Sequence, residues 1–229
     1  MLQTTNRARV ESLRREMATL ETSARRAGPG HVGFGIRPVD EAAGGGLALG
    51  RMHEVNGRAA WSFAVLMAGR TKGAVLWCAR MRHDHALYPP GFGALGCDAR
   101  RLVVAECSSE ADALWAAEES LRSGAVGAVV LEGERALDLT AARRLQLAAE
   151  EGGALGLMVS VGHEALFPAA STRWRFEPLE GRRFELAMTR NRNGLSGVWR
   201  VKRDETAYCL SLAEEPRHGP DYPAQAGLA

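Results

Sequence analysis

The sequence predicts an α/β fold in which a mostly parallel central sheet is flanked by helices. Between about residues 51 and 160, short continuous apolar runs alternate with helical patterns, and such runs are typical of parallel strands covered on both faces. After residue 160 the pattern changes to an alternation of apolar and polar residues, which is typical of antiparallel strands. A chain of 229 residues with 46% hydrophobic and 24% charged residues is long and apolar enough to bury a core.

The repeating part contains five predicted strands and three predicted helices. The strands are Met52–Asn56, Ala74–Ala79, Leu102–Ala105, Ala128–Glu132 and Gly156–Ser160. The helices are Trp61–Gly69, Glu110–Ser123 with Ser109 as N-cap, and Leu139–Glu150, which Gly152 and Gly153 close. This order of elements favours right-handed βαβ crossovers.

The C-terminal part predicts an antiparallel extension at the edge of the sheet. Its strands are Phe184–Thr189, Gly197–Arg203 and Tyr208–Leu212, with turn residues at Asn191–Gly194. From about Ala213 onward Pro, Gly and Glu dominate, so we expect a disordered tail. The expected organisation is an N-terminal helix and linker (1–30), an α/β core with the antiparallel extension (31–212) and the tail (213–229).

A helix is predicted from about Asn6 to Arg26, ahead of Gly28-Pro-Gly30. A narrow apolar stripe follows one side of it, formed by Val10, Leu13, Met17 and Leu20. A stripe this short is marginal alone in water, so it needs a surface to pack on. That surface is either the rest of this chain or a partner protein, and both interpretations stay open.

Composition and cysteine spacing exclude several classes of protein. The chain has no signal-peptide pattern and no apolar run long enough to span a bilayer, so we expect a cytoplasmic protein without membrane contact. The four cysteines form no C-x-x-C pair, which gives no indication of a zinc site or redox motif. His83-Asp84-His85 lacks a third ligand at useful spacing, and we expect no metal.

Positive charge is concentrated near the C-terminus, although the net charge is only +2. Residues 173–203 contain nine basic and three acidic residues, whereas residues 204–229 contain one basic and five acidic residues. The candidate binding residues are Arg173, Trp174, Arg175, Arg182, Arg183, Arg190, Arg192, Arg200, Lys202 and Arg203. Basic groups interleaved with aromatic rings suit single-stranded nucleic acid. A solvated sheet edge and a groove for an acidic peptide, including the chain's own acidic tail, are the alternatives.

The run from Gly35 through Gly44–Gly46 to Gly57 resembles the strand-loop-helix segment of RecA-type ATPases. A Walker loop continues as G-x-x-x-x-G-K-[ST], in which the lysine and the hydroxyl hold the phosphates and Mg²⁺. Counted from Gly57, the second glycine is replaced by Ser62, the lysine by Phe63 and the hydroxyl by Ala64. We therefore expect a degenerate P-loop, no ATP hydrolysis and no cofactor.

Three further residues bear on that expectation. Arg58 could approach a phosphate, so a nucleotide sensor remains a remote alternative. Arg80 stands near the position of the catalytic glutamate of the ATPases, and Glu132 ends a strand where they have a metal-side aspartate.

Two central runs, 112–126 and 137–150, together with Thr172–Arg175 and Trp199, resemble the ImuA family. The resemblance extends from about Phe34 to Arg203. It implies a RecA-like protein without a working ATPase that acts in damage-induced translesion synthesis under the SOS response. The implied partners are ImuB, an inactive Y-family polymerase homologue, and also RecA and an error-prone replicative-type polymerase. Self-association stays open.

The loops that grip DNA in recombinases correspond to residues 133–137 and 161–170, which are short here. Direct DNA binding of the recombinase kind is therefore not expected. A SulA-like inhibitor of the tubulin-like division protein is the alternative, since it too resembles an ATPase-deficient RecA. The length of the match over Leu137–Glu150 favours the ImuA family.

Overall fold

A nine-stranded sheet organises the chain in the computed structural model, which describes residues 30–80, 87–160, 162, 167–191, 196–204 and 210–213. The strands are β1 His31–Val32, β2 Leu47–Ala48, β3 Arg51–Asn56, β4 Ala74–Arg80, β5 Leu102–Cys107, β6 Val126–Glu132, β7 Leu155–Val159, β8 Thr172–Pro178, β9 Arg183–Asn191, β10 Gly197–Arg203 and β11 Leu210–Leu212. The helices are α1 Arg37–Ala43, α2 Ala60–Gly69, α3 Pro89–Ala94, α4 Glu110–Arg122 and α5 Leu139–Gly152, with a 3₁₀ turn at Ala99–Arg101.

The strand order is β11-β10-β9-β8-β3-β7-β6-β4-β5, and β1 and β2 form a separate two-stranded ribbon. The pairs from β8 through β3, β7, β6 and β4 to β5 are parallel, whereas β8–β9, β9–β10 and β10–β11 are antiparallel. The predicted α/β class with a mostly parallel sheet is confirmed. The five predicted parallel strands and the three predicted antiparallel strands are present, with ends shifted by a few residues. Residues 208 and 209 of the third antiparallel strand lie outside the described residues.

Strand β8 is not among the predicted strands, because the sequence analysis interprets Thr172–Pro178 as basic residues interleaved with aromatic rings. Its burial nevertheless alternates with period two: Thr172, Trp174 and Phe176 are buried, and Arg173 and Arg175 are partly exposed. Such alternation is the signature of a strand with one face on a core. The sheet changes from parallel to antiparallel at this strand.

The segment before β3 also contains structure that the sequence analysis had not identified. Helix α1 begins with a proline in its first turn, where the missing N–H costs nothing. The Asp40 carboxylate accepts hydrogen bonds from the N–H groups of Phe34 (2.6 Å) and Gly35 (3.0 Å). These bonds fold the ribbon and α1 into a compact unit beside the sheet.

Each face of the sheet carries its own core. Helices α1, α2 and α3 pack on one face, in a core that includes Phe63, Trp77, Trp174 and Phe176. Helices α4 and α5 pack on the other, around Leu121, Leu145 and Phe167. The parallel strands are therefore covered on both sides, as their continuous apolar runs indicated.

Local capping signals were accurate for α4 and α5. The Ser109 hydroxyl accepts from the N–H of Asp112 at 3.1 Å, and the Asp112 carboxylate accepts from the N–H of Ser109 at 3.1 Å. This reciprocal pair is a capping box. Helix α5 ends at Gly153 with φ of 76°, a left-handed conformation that favours glycine. None of the described helices is long and apolar enough to cross a membrane.

Several predicted features lie outside the described residues. They are the helix over residues 6–26 with Val10, Leu13, Met17 and Leu20, the turn residues 192–194 and the segment from 214 onward.

Candidate functional site

The loop that follows β3 is closed by hydrogen bonds to its surroundings. The N–H of Gly57 donates to the carbonyl of Gly162 (3.2 Å), and the N–H of Ala59 donates to the carbonyl of Phe176 (3.1 Å). A phosphate-binding loop needs such N–H groups to point at the ligand. In this loop they are already committed to protein carbonyls.

A carboxylate lies over the same loop. Glu177, at the end of β8, accepts from Arg58 Nε through Oε2 at 3.0 Å and from the Arg58 N–H through Oε1 at 3.4 Å. The side chain of Glu177 is only 16% exposed. Its negative charge therefore stands beside the N–H groups to which a phosphate would bind, and it repels an anion there.

Gly57 is required by this close approach. Its φ is 105°, a region that L side chains rarely adopt. A Cβ at this position would lie 2.6 Å from the carbonyl oxygen of Phe176 and 2.7 Å from Glu177 Oε1. The glycine thus serves contact with β8, and no ligand is needed to explain it.

Helix α2 places its predicted site residues in or beside a core. Phe63 is 1% exposed, and Ala64 is fully buried. The ring of Phe63 lies 5.8 Å from that of Phe34, 6.0 Å from that of Trp174 and 5.9 Å from that of Phe176. Ser62 is partly exposed. Phe63, which the sequence analysis aligned with the phosphate-binding lysine, is therefore an aromatic ring inside the core.

Glu132, at the end of β6, also has a protein partner. Its carboxylate accepts a 2.6 Å hydrogen bond from the indole Nε1 of Trp77, which is fully buried. The rings of Trp61 and Phe92 pack against Trp77 at centroid distances of 6.0 and 5.3 Å. The side chain of Arg80 lies outside the described residues.

Neither metal ligands nor reactive thiols are evident in the described part of the chain. Within those residues no three His, Cys, Asp or Glu side chains cluster as a metal site would require. Cys78 is buried, and its burial, with smaller contributions from Cys107 and Glu132, raises its thiol pKa to about 12. A thiol with such a pKa stays protonated and unreactive at neutral pH. The residues at 83–85 lie outside the described range.

The basic segment is divided between the two faces of the antiparallel extension. Trp174 and Phe176 are fully buried on the side of α2, and Trp199 is 6% exposed there. The prediction that Trp174 offers a stacking surface is therefore corrected, because its ring contacts Phe34 at 4.7 Å and its Nε1 donates to Thr172. A buried ring has no free face for a base.

Two of the basic side chains form ion pairs inside the sheet. Arg173 Nε donates to Glu54 at 2.6 Å, and Glu54 is 0% exposed. Arg175 Nη2 donates to Glu185 at 3.2 Å. Arg173 therefore neutralises a buried carboxylate, a structural role that the sequence alone did not indicate.

The other basic candidates are mostly exposed. Arg183 donates to the carbonyl of Glu180, and Arg190 donates to the carbonyl of Pro168. Arg182 lies in the turn between β8 and β9 with φ of 60°. Arg200, Lys202 and Arg203 lie on β10, and Arg192 is outside the described residues.

The residues that the sequence analysis missed are three glutamates. Glu54, Glu177 and Glu185 pair with Arg173, Arg58 and Arg175 respectively. The only available signal was the period-two alternation of Thr172–Pro178, which places Arg173, Arg175 and Glu177 on one face.

Comparison with known proteins identifies the family. The chain is 34% identical over 221 aligned positions to Protein ImuA of Caulobacter vibrioides, in an alignment that covers 82% of this chain and 85% of that protein. The chain belongs to the ImuA family. The ImuA proteins of two strains of this organism give the same match, and no family model matches the chain.

The relationship to RecA is weaker and more local. The chain is 32% identical over 111 positions to Protein RecA of Crocosphaera subtropica, covering 46% of this chain and 31% of that RecA. Protein RecA of a Picosynechococcus strain gives a similar match. Together with the parallel sheet between its helical layers, these matches identify the fold of this ImuA-family member as RecA-like.

Proposed function

We propose that this ImuA-family protein is a non-catalytic adaptor of damage-induced translesion synthesis. The observation that supports this role best is the closed loop after β3. Its N–H groups are engaged, Glu177 stands beside them, and Phe63 fills the core where a lysine would be needed. A RecA-like fold without a nucleotide site retains its surfaces for binding other proteins.

The proposed partner is ImuB, the inactive Y-family polymerase homologue encoded with ImuA. RecA and the error-prone replicative-type polymerase are further candidate partners. The regions proposed for contact are the stripe of Val10, Leu13, Met17 and Leu20 and the basic residues of β9 and β10. The stacking residues expected for single-stranded DNA are buried, which supports a protein partner over nucleic acid.

The partner is tested by a pull-down of purified ImuB from the same organism with the full chain. We expect retention of ImuB, and we expect weaker retention after deletion of residues 1–27 or after Arg200→Glu with Lys202→Glu. Removing residues 173–229 is not a useful test, because it also removes Trp174 and Phe176 from the core. No retention by the folded full chain would contradict the adaptor role.

The absence of nucleotide binding is tested separately. We expect a flat calorimetric titration with ATP and with ADP in the presence of Mg²⁺. Measurable binding would revive the alternative of a nucleotide sensor that uses Arg58. A cell-based comparison completes the test: loss of damage-induced mutation on gene deletion supports the adaptor, whereas filamentation on overexpression would support the SulA-like alternative.

A further inference from the structure

Strand β5 forms one edge of the nine-stranded sheet, and its outer side is open. It pairs in parallel with β4 along Leu102–Cys107. Within the described chain, no backbone group on the other side of β5 bonds to a further element. Such a row of unpaired N–H and C=O groups is a template on which another strand can pair.

The features that protect an edge strand from pairing are missing from β5. The strand contains no proline or lysine, and Glu106 is its single charged residue. No bulge interrupts its pairing with β4. The opposite edge of the sheet is β11, which has only three residues. Proteins keep sheet edges from pairing by short strands, bulges and charges, so β5 is the edge at which we expect another strand to be added.

Two adjacent valines of β5 are exposed on opposite faces of the sheet. Val103 stands opposite Leu76, which belongs to the core under α4 and α5. Val104 stands opposite Trp77, which belongs to the core under α2 and α3. The exposed fractions of the two valines are 52% and 40%, so the described helices leave the middle of the strand uncovered on both faces. A strand added at this edge would remove apolar surface of both valines from water.

The sequence of β5 is complementary to itself in an antiparallel pairing. In a two-fold pair of strands, a residue on the axis stands opposite its own copy. With Val103 on the axis, Leu102 stands opposite Val104 of the second copy, so that apolar side chains meet on both faces. With Val104 on the axis, Leu102 would instead stand opposite the charged Glu106. The register centred on Val103 is therefore the favourable one.

The charges at the two ends of β5 favour the same arrangement. Arg100 precedes the strand and Glu106 lies near its end, and both residues are exposed. Extending the register centred on Val103 places Arg100 across from Glu106 of the second copy, whereas a parallel pairing would bring like charges together. Arg100 binds Asp98 through Nε and Nη2, and its Nη1 takes no part in these bonds and can donate to the carboxylate of the second copy. An exposed pair of this kind selects the register more than it adds affinity.

We propose that β5 is a homodimerisation edge, on which β5 of a second copy pairs antiparallel about Val103. The two nine-stranded sheets then form one continuous sheet. A strand of a different protein could also pair with the open edge, but the self-complementary apolar pattern and the opposite charges at its two ends favour a second copy. The inference goes beyond the adaptor role and does not depend on it, and its test uses no ImuB.

The register is tested by cysteine crosslinking of the purified full chain. Val103→Cys places two Cβ atoms about 4.5–5.5 Å apart across the axis, so mild oxidation should give a covalent dimer of the 24.6 kDa chain. Val104→Cys is the matched control, because its two Cβ atoms would be diagonal neighbours about 7–8 Å apart and should crosslink several-fold less. The wild type gives the background, since Cys78, Cys97 and Cys107 are buried.

Dimerisation itself is measured by sedimentation equilibrium. We expect the wild type to dimerise, and we expect Val103→Lys with Val104→Lys to weaken the dimer about tenfold or more, because lysines on an edge strand oppose pairing. The matched control is Leu139→Lys with Leu147→Lys, which adds the same charge at side chains of α5 that are 68% and 51% exposed. It should leave the association unchanged. Thermal unfolding of both variants near the wild-type temperature establishes that the sheet is intact.

Charge reversal tests the antiparallel orientation. Arg100→Glu and Glu106→Arg should each weaken the dimer several-fold, because each brings like charges together across the pair. The variant that combines both changes should recover most of the association, because opposite charges again stand across from each other.

Four results would overturn the proposal. They are a folded wild type that stays monomeric at every concentration measured, equal crosslinking of the Val103→Cys and Val104→Cys variants, a dimer that persists in the Val103→Lys, Val104→Lys variant, and equal weakening by the control pair of lysines. Each is distinct from failure of the adaptor role, which is measured by the retention of ImuB.

Discussion

The parallel half and the antiparallel half of the sheet differ in how many of their faces are enclosed by helices. The parallel strands from β3 to β5 are enclosed by helices on both sides. The antiparallel strands β8, β9 and β10 are enclosed on one side and are polar on the other. The parallel half therefore has a helical layer on each face, whereas the described helices leave the polar face of the extension uncovered.

Strand β8 belongs to both halves. It pairs in parallel with β3 and antiparallel with β9, and its end closes the loop after β3 through Glu177 and the carbonyl of Phe176. The same strand thus closes the loop after β3 and begins the antiparallel extension.

The largest expected effect comes from introducing a lysine and a threonine, as in a Walker loop, into helix α2 of the parallel half. Phe63→Lys with Ala64→Thr removes a buried ring and places an ammonium in an aromatic core, so we expect a loss of about 5 kcal/mol in the free energy of unfolding. Urea unfolding measures it. The folded fraction should show no ATP turnover, because Glu177 and the engaged N–H groups remain.

Phe63→Met is the control for that variant, since it keeps most of the volume and should cost less than about 1.5 kcal/mol. Measurable ATP turnover by the folded double variant would show that the site is dormant and that the enclosed half is not merely a scaffold.

A second test compares two tryptophans. Trp174→Ala should lower the free energy of unfolding by about 3–5 kcal/mol, because its fully buried ring joins β8 to Phe34 and Phe63. Trp115→Ala, on the outer side of α4 where Trp115 is 65% exposed, should change it by less than about 0.5 kcal/mol. Similar losses in the two variants would mean that the buried ring of Trp174 contributes no more to stability than the exposed ring of Trp115.

The boundary between the halves is tested by the buried ion pair. Arg173→Met leaves the carboxylate of Glu54 buried without this partner, so we expect a loss of about 3 kcal/mol at neutral pH. Adding Glu54→Gln should restore much of that loss, because the second change removes the buried charge. Denaturant unfolding of the single and double variants gives the coupling free energy between Arg173 and Glu54. Additive losses would show that the two side chains are not coupled.

The sequence predicted those features that depend on neighbours along the chain. The apolar runs of β3 and β6 and the capping of α4 by Ser109 are local patterns, and the structure contains each of them. The contact of Arg58 with Glu177 joins residues 119 positions apart, and no local pattern encodes it. Trp174 was misread for the same reason, since the side of β8 that becomes core depends on which helix packs there.

The smallest expected effect concerns helices α4 and α5, which in the described part of the chain pack only against the parallel strands. Burial alone would raise the pKa of Glu118, but hydrogen bonds from Arg122 and Arg144 outweigh it and hold that pKa below its ordinary value of 4.5. A lowered folded pKa stabilises the protein above the ordinary value, and this stability is lost as the pH falls through the folded value. Glu118→Gln should therefore cost about 1 kcal/mol at neutral pH and less in acid.

Unfolding measured from neutral pH to below the ordinary pKa of Glu118 checks this dependence. The control is Glu119→Gln at neutral pH. Its side chain is 51% exposed and accepts from the same Arg122, so this change should alter stability little. Glu185→Gln in the extension should also cost little at neutral pH, because its pair with Arg175 is partly open to solvent. A loss of stability at neutral pH as large for Glu185→Gln as for Glu118→Gln would contradict the lower value expected of the partly exposed pair.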